Sequence, residues 1–144
     1  MSSYRIERSL PFQSEQMFDL AADVERYPEF LRGWLAAHVH QREHDVYYTD
    51  QTLGFGPFRA RFGTKTVLHR PERIDVTSDQ APFRHFLLSW IFESQPGGTS
   101  RVILTADVTL RSFLLQRAFD LALPRMIVDI ITSFEERARQ LCRQ

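Results

Sequence analysis

The pattern of apolar and polar residues changes its period along the chain, and this predicts where helices and strands lie. In residues 113–143, apolar side chains such as Ile127, Ile131 and Phe134 recur at intervals of three and four, as on one face of an amphipathic helix. Polar residues such as Glu136 mostly take the other face. Unbroken, this segment would be about 45 Å long at 1.5 Å per residue. It predicts a long C-terminal helix that needs a sheet to lie on.

Pro124 lies inside this helical pattern. Proline removes one backbone donor and its ring clashes with the preceding turn. The sequence therefore predicts two helical arms, 113–123 and 125–141, that meet at a kink. Such a kink either lets the helix follow a twisted sheet or leaves a gap between helix and sheet for a ligand.

Upstream of this helix, alternation with a period of two predicts strands. Residues 4–10 form the first strand, Ser14 then caps a short helix, and a second helical turn precedes Tyr27. The later strands are predicted at 38–43, 46–53, 58–68, around Ile74 and Val76, at 86–92 and at 102–110. Short turns without intervening helices require antiparallel pairing.

These elements predict an α+β fold in a single domain spanning residues 1–144. Seven antiparallel strands form one curved sheet, with two short helices after the first strand. One face of the sheet is apolar and must be covered. The long C-terminal helix is predicted to cover it, so that the sheet wraps around this helix.

Composition narrows the function classes. The 144 residues contain 18 Lys and Arg and 18 Asp and Glu, a formal net charge of zero, so the chain as a whole has no attraction for DNA. The single cysteine, Cys142, excludes an internal disulfide framework and suits a reducing compartment. No apolar run has the length of a signal peptide or a membrane span. We expect a soluble, cytoplasmic protein.

The run D-V-E-R-Y-P-E-F-L at 23–31 resembles a signature of the coenzyme Q-binding protein family and its bacterial ribosome-association-toxin relatives. Pro82-Phe83 followed by Trp90 and Phe92 resembles the P-F and W-x-F pattern of that family. The order of elements resembles the helix-grip, or START-like, fold of the polyketide cyclase/dehydrase superfamily. The chain departs from the family pattern at Arg32-Gly33-Trp34 and at Pro124, both near the cavity that the resemblance implies.

The resemblance implies a carrier rather than an enzyme. It would bind a hydrophobic isoprenoid quinone, ubiquinone or a similar lipid, between the sheet and the C-terminal helix. It would thereby support quinone biosynthesis or respiratory electron transport, with peripheral contact to the inner membrane and no required cofactor. The residues alone predict only an apolar cavity.

Aromatic and apolar side chains at inward or rim positions are the candidate ligand-binding residues. They are Tyr27, Phe30, Leu31, Trp34, Phe55, Phe58, Phe62, Phe83, Trp90, Phe92, Phe113, Met126 and Ile130. Each ring could equally fill the core, so the functional prediction rests on the set. Phe55, in a Gly-Phe-Gly-Pro turn, is part of an ordinary turn, a gate to the cavity or a tip that touches a membrane.

Two other function classes remain open at this stage. A protein that docks on the large ribosomal subunit would use the arginine face of one strand, Arg59 and Arg61 with Lys65, which otherwise only aids solubility. A cyclase- or dehydratase-like enzyme would need acid and base groups in the cavity, and no catalytic motif is recognisable. His38 and His40 share a strand face without an obvious third metal ligand, which favours solvated histidines and no metal site.

Overall fold

The computed structural model describes the backbone of residues 2–55 and 58–141, and the side chains of 3–54 and 59–141. The strands are β1 (Ser2–Leu10), β2 (Trp34–Glu43), β3 (Val46–Phe55), β4 (Phe58–His69), β5 (Arg73–Ser78), β6 (Phe83–Gln95) and β7 (Thr99–Leu110). The helices are α1 (Ser14–Ala22), a 3₁₀ helix (Val24–Glu29) and α2 (Phe113–Leu141). The element order predicted from the sequence is confirmed.

The seven strands form one sheet in the order β1-β7-β6-β5-β4-β3-β2. Every neighbouring pair is antiparallel, as short connections require. The first strand pairs with the last, because β7, which follows five consecutively paired strands, lies beside β1. This is the helix-grip arrangement that the sequence predicts.

Strand β2 begins at Trp34, four residues before the predicted start. The register of the β2–β3 pair shifts between Trp34 and Ala36 and again between Val39 and Gln41. Such irregularities interrupt the alternation of side chains. The periodic pattern therefore hides the first part of this strand.

The N-terminus of α1 is capped differently from the prediction. Gln13 occupies the cap position, and its backbone N–H donates to the side chain of Gln16 at 3.0 Å. Ser14 is the first helical residue, and its hydroxyl is bonded to that of Ser94 at 2.8 Å. The Ser14 side chain therefore joins α1 to β6 instead of capping the helix.

Helix α2 is continuous through Pro124, so the predicted division into an arm at 113–123 and an arm at 125–141 is wrong. Its 29 residues span about 44 Å at 1.5 Å per residue. Pro124 is exposed, while Leu123 and Ile127 on either side of it are buried. Packing of these neighbours holds the backbone helical despite the lost hydrogen bond.

The inward side of α2 packs against β1, β7 and α1. Phe134 is fully buried, and its ring makes edge contacts with Tyr27, Phe30 and Trp90 at centroid distances of 5.3, 5.1 and 4.6 Å. Arg8 of β1 donates to the Thr132 hydroxyl of α2 at 2.9 Å. One ring therefore joins α2, the 3₁₀ helix and the sheet.

Truncation of this ring should destabilise the protein strongly. We expect Phe134→Ala to lower the free energy of unfolding by about 3–5 kcal/mol, because the deletion leaves a cavity where three aromatic contacts met. Urea unfolding followed by circular dichroism would measure the change. The control is Phe113→Ala in the same helix, at a side chain that is 73% exposed, with an expected change within about 0.5 kcal/mol. Equal losses in the two variants would contradict this assignment of the core.

Candidate ligand cavity

An apolar cavity lies between the concave face of the sheet and the segment formed by α1 and the 3₁₀ helix. It is lined by Ala21, Val24, Tyr27, Trp34, Tyr47, Gln51, Leu53, Phe62, Thr66, Ile74, Val76, Phe86 and Leu88. None of these residues belongs to α2, which the sequence analysis placed against the cavity. The reason is topological, because α2 packs on β1 and β7 at one side of the sheet. Of the two short helical segments, α1 packs on β5, β6 and β7, and the 3₁₀ helix packs on β2.

The free space in this cavity is small. Its free volume is about 20 Å³, and a single buried water needs at least about 10–15 Å³. Sites for drug-sized ligands are typically about 300–1,000 Å³. The cavity is therefore closed, and a lipid would have to displace its walls.

A chain of polar side chains crosses the apolar wall. Trp34 Nε1 donates to Gln51 Oε1 at 2.9 Å, and Gln51 Nε2 donates to Thr64 Oγ1 at 2.9 Å. Gln51 is only 5% exposed. Since an amide nitrogen carries two hydrogens and a carbonyl oxygen two lone pairs, each polar end of Gln51 has capacity beyond these bonds. The side chain can orient a polar group that enters the cavity.

Two tyrosines of the wall bond to the end of α1. Tyr27 donates its hydroxyl hydrogen to the carbonyl of Ala21, and Tyr47 donates to that of Ala22. These are carbonyls of the last turn, which have no partner inside the helix. Burial raises the pKa of Tyr47 to about 12 and that of Tyr27 well above its ordinary value. Both side chains therefore stay neutral near neutral pH and act as donors.

Of the predicted ligand-binding residues, Tyr27, Trp34 and Phe62 line the cavity. Phe83 contacts Phe62 at a centroid distance of 4.7 Å but does not line the cavity. Trp90 and Phe92 stack on each other at 6.0 Å and are buried in the core. Phe83, Trp90 and Phe92 therefore fill the core, which is the alternative to ligand binding that the sequence left open for each ring.

Other predicted residues lie at a second hollow or at the surface. Leu31, Met126 and Ile130 line a hollow of about 60 Å³ beside α2, together with Arg32 and Asp129.

Phe30 is half-buried against Tyr27 and Phe134. Phe113 is 73% exposed, so its placement in the cavity is wrong. It is the first residue of α2, beyond the end of β7, where the sheet no longer covers it. Phe55, the last residue of β3, pairs with Phe58, the first residue of β4, but their side chains lie outside the described ones, as does Cys142.

Sequence reasoning missed the polar part of the cavity wall. Tyr47, Thr49, Gln51 and Leu53 alternate along β3, and all four are buried. The available signal was Gln51 at an inward position of β3. A buried amide needs hydrogen-bond partners, so this residue indicated a polar group in the interior. The remaining lining residues, among them Ile74, Val76 and Leu88, are ordinary core residues by sequence.

His38 and His40 are exposed and lie near carboxylates. His38 Nδ1 is 3.5 Å from Glu25, and His40 Nε2 is 3.8 Å from Asp50. Within residues 2–55 and 58–141, no group of three or more His, Cys, Asp and Glu side chains is arranged to hold a metal ion. None of the helices in that part of the chain is long and apolar enough to cross a bilayer.

A curved antiparallel sheet closed by a long helix, with an apolar cavity under two short helical segments, defines a START-like protein of the helix-grip class. Residues 10–135 match the model of the family described as polyketide cyclase / dehydrase and lipid transport. The chain belongs to that family.

Individual relatives differ in the function that their names state. A ribosome association toxin RatA from Pseudomonas aeruginosa is 27% identical over 141 residues, which cover 96% of this chain and 98% of that protein. The 18 kDa protein CC1736 from Caulobacter crescentus is 26% identical, with a TM-score of 0.81 and full coverage of both chains. The Zhui aromatase/cyclase from Streptomyces sp. R1128 has a TM-score of 0.89 at 10% identity, covering 98% and 95% of the two chains. At that identity the likeness concerns the fold alone.

The buried tyrosines predict how stability depends on pH. Unfolded tyrosine ionises near pH 10, whereas folded Tyr47 ionises near pH 12, so in that interval the unfolded state binds fewer protons. The contribution of Tyr47 to the free energy of unfolding is therefore fully present below about pH 10, and it is lost as the pH rises towards about 12. We expect Tyr47→Phe to make this fall shallower in urea unfolding series at increasing pH. A slope identical to that of the unmodified protein would show that Tyr47 does not cause the loss.

Proposed function

We propose that this protein binds an isoprenoid quinone of the ubiquinone type, or a related lipid, and carries it without chemical change. The observation that supports this is the Trp34–Gln51–Thr64 chain of hydrogen bonds in a mostly apolar wall. A quinone combines a flat apolar ring with carbonyl oxygens, and the second N–H of Gln51 is suited to donate to such an oxygen. The family description, which includes lipid transport, supports the same ligand class.

Binding on this proposal requires the cavity to enlarge. Its cover consists of α1, with nine residues, and the 3₁₀ helix, with six, and short segments move at lower cost than the sheet. Burial of the ring and tail would contribute roughly 25 cal/mol per Å² of apolar area. The ordering of the tail and the opening of the walls oppose this gain.

We also propose that the protein is not an enzyme. The titratable side chains among the described residues that line the cavity are Tyr27 and Tyr47. Their raised pKa values make both poor acids and bases near neutral pH. A carrier needs only the donors and the apolar walls. It would work in the cytoplasm at the surface of the membrane that holds the quinone, in quinone biosynthesis or respiratory electron transport.

A second candidate function is association with the ribosome. Relatives named ribosome association toxin RatA, including the Pseudomonas aeruginosa protein, support it. Arg59, Arg61 and Lys65 are exposed on the outer face of β4, where they would contact RNA phosphates. This surface is separate from the cavity, so the two functions can be tested independently.

Solvent extraction of the purified protein followed by mass spectrometry tests the first proposal. We expect a stoichiometric isoprenoid quinone or related lipid that is absent from an unrelated soluble protein of the same host. Protein stripped of lipid should bind a short-tailed ubiquinone, measured by calorimetry. An empty protein that also fails to take up the added quinone would overturn the proposal.

The role of Gln51 is tested with a matched pair of variants. Gln51→Leu should weaken binding of the short-tailed ubiquinone roughly tenfold, because a hydrogen bond of about 1–1.5 kcal/mol is lost. Gln41→Leu makes the same change at an exposed position of β2 and should bind as the unmodified protein does. Thermal melting of both variants checks the fold. Equal affinities in the two folded variants would remove Gln51 from the site.

Association with the ribosome is tested by co-sedimentation. It predicts co-sedimentation with large ribosomal subunits that weakens as salt rises, and loss of this binding in Arg59→Glu/Arg61→Glu. Quinone binding should survive that double change, because the two arginines lie outside the cavity. Absence of co-sedimentation at low salt would dismiss the alternative.

A further inference from the structure

The first half of α2 has apolar residues on the side that faces away from the core. Its inward side is marked by Gln116, which accepts a hydrogen bond from the Leu110 backbone N–H at 2.6 Å, and by buried Leu123. On the opposite side, Leu114 is 78% exposed and Leu121 is 86% exposed. A segment that is apolar on both sides does not fit a helix that merely covers a sheet.

These outward residues form one continuous stripe. At 3.6 residues per turn, Leu114, Ala118 and Leu121 follow one another along the same side of the helix. Ala118 is exposed, and Phe113 adds a largely exposed ring at the start of the helix. We call Phe113, Leu114, Ala118 and Leu121 the α2 leucine face.

The second half of the same helix has the opposite character. There the outward positions are occupied by Glu136, Arg139 and Gln140, all exposed. This is the ordinary polar surface of an amphipathic helix. The α2 leucine face is therefore a local feature, and an exposed apolar patch of this kind marks an interaction site.

The charges around the α2 leucine face are mostly positive. Residues 111–125 contain three arginines, Arg111, Arg117 and Arg125, and one acidic residue, Asp120. Asp120 accepts a hydrogen bond from Gln116 at 2.8 Å on the inward side. Arg125 pairs with Asp129 at 3.2 Å, but its side chain is 84% exposed, and such surface pairs contribute little.

We propose that the α2 leucine face docks on the surface of a membrane that contains anionic lipids. Leucine and phenylalanine side chains would enter the boundary between headgroups and acyl chains, and the flanking arginines would contact lipid phosphates. An RNA surface offers the phosphates but nothing for the leucines to enter. The charge pattern and the apolar stripe together therefore favour lipid, and the inference does not depend on which ligand the cavity binds.

Vesicle flotation tests the proposal with the whole chain. The unmodified protein should float with vesicles of equal parts phosphatidylcholine and phosphatidylglycerol, and much less with phosphatidylcholine alone. Raising the salt to roughly 0.5 M should reduce flotation, because the Debye length falls to a few ångströms. Failure to float with the anionic vesicles at low salt would overturn the proposal.

Two substitutions on the stripe provide the sharper test. Leu114→Gln/Leu121→Gln should weaken partitioning roughly tenfold or more, since two leucines no longer enter the lipid. Leu141→Gln makes the same change at a position of α2 that is 60% exposed but lies at the far end of the helix, and it should float normally. Arg117→Gln/Arg125→Gln should lose binding only to the anionic vesicles. Because all these side chains are exposed, melting temperatures should stay unchanged.

Three results of these experiments would contradict membrane docking. One is flotation of the leucine double variant equal to that of the Leu141→Gln control. Another is a dimer in sedimentation equilibrium that the leucine double variant abolishes, which would assign the face to a second copy of the chain. The last is ribosome co-sedimentation that depends on the same two leucines while vesicle binding does not.

Discussion

The concave apolar face of the sheet has to be shielded from water, and the rest of the structure follows from how this is done. Seven strands make a face wider than one helix can cover. Helix α2 takes the side formed by β1 and β7, and the short segment from α1 through the 3₁₀ helix takes the other side. Phe134 joins the two covers through its contact with Tyr27, and joins them to the sheet through its contact with Trp90. The cavity lies under the second cover because short helical segments fill the space less completely.

The pattern of the sequence was sufficient for the sheet and for the buried stripe of α2. Alternation in β4 correctly separates buried Phe62, Thr64 and Thr66 from exposed Arg61 and Lys65. These predictions succeed because burial imposes a period on the side chains of one element. The strand count and the antiparallel pairing then follow from the short connections.

The position of the cavity could not be predicted in this way. It depends on which strands each helical segment covers, and that depends on the curvature of the sheet and on the pairing of β7 with β1. The irregular pairing of β2 hid the start of this strand, and with it the partnership of Trp34 and Gln51. The predicted division of the C-terminal helix at Pro124 was wrong for a related reason. The tertiary contacts of the neighbouring residues outweigh the cost of a proline inside a helix. The local pattern of apolar and polar residues carries no information on sheet curvature, strand pairing or tertiary packing.

The two tyrosines at the end of α1 have a thermodynamic consequence. Tyr27 and Tyr47 belong to the cavity wall, and their hydroxyl groups bond to the carbonyls of Ala21 and Ala22. Any enlargement of the cavity that displaces these rings must therefore also release or carry along the last turn of α1. Occupancy of the interior and fraying of a helix end at the surface are then two parts of one equilibrium. Whatever molecule contacts the end of α1 from outside would shift the affinity of the interior for its ligand, and the ligand would shift that contact by the same factor.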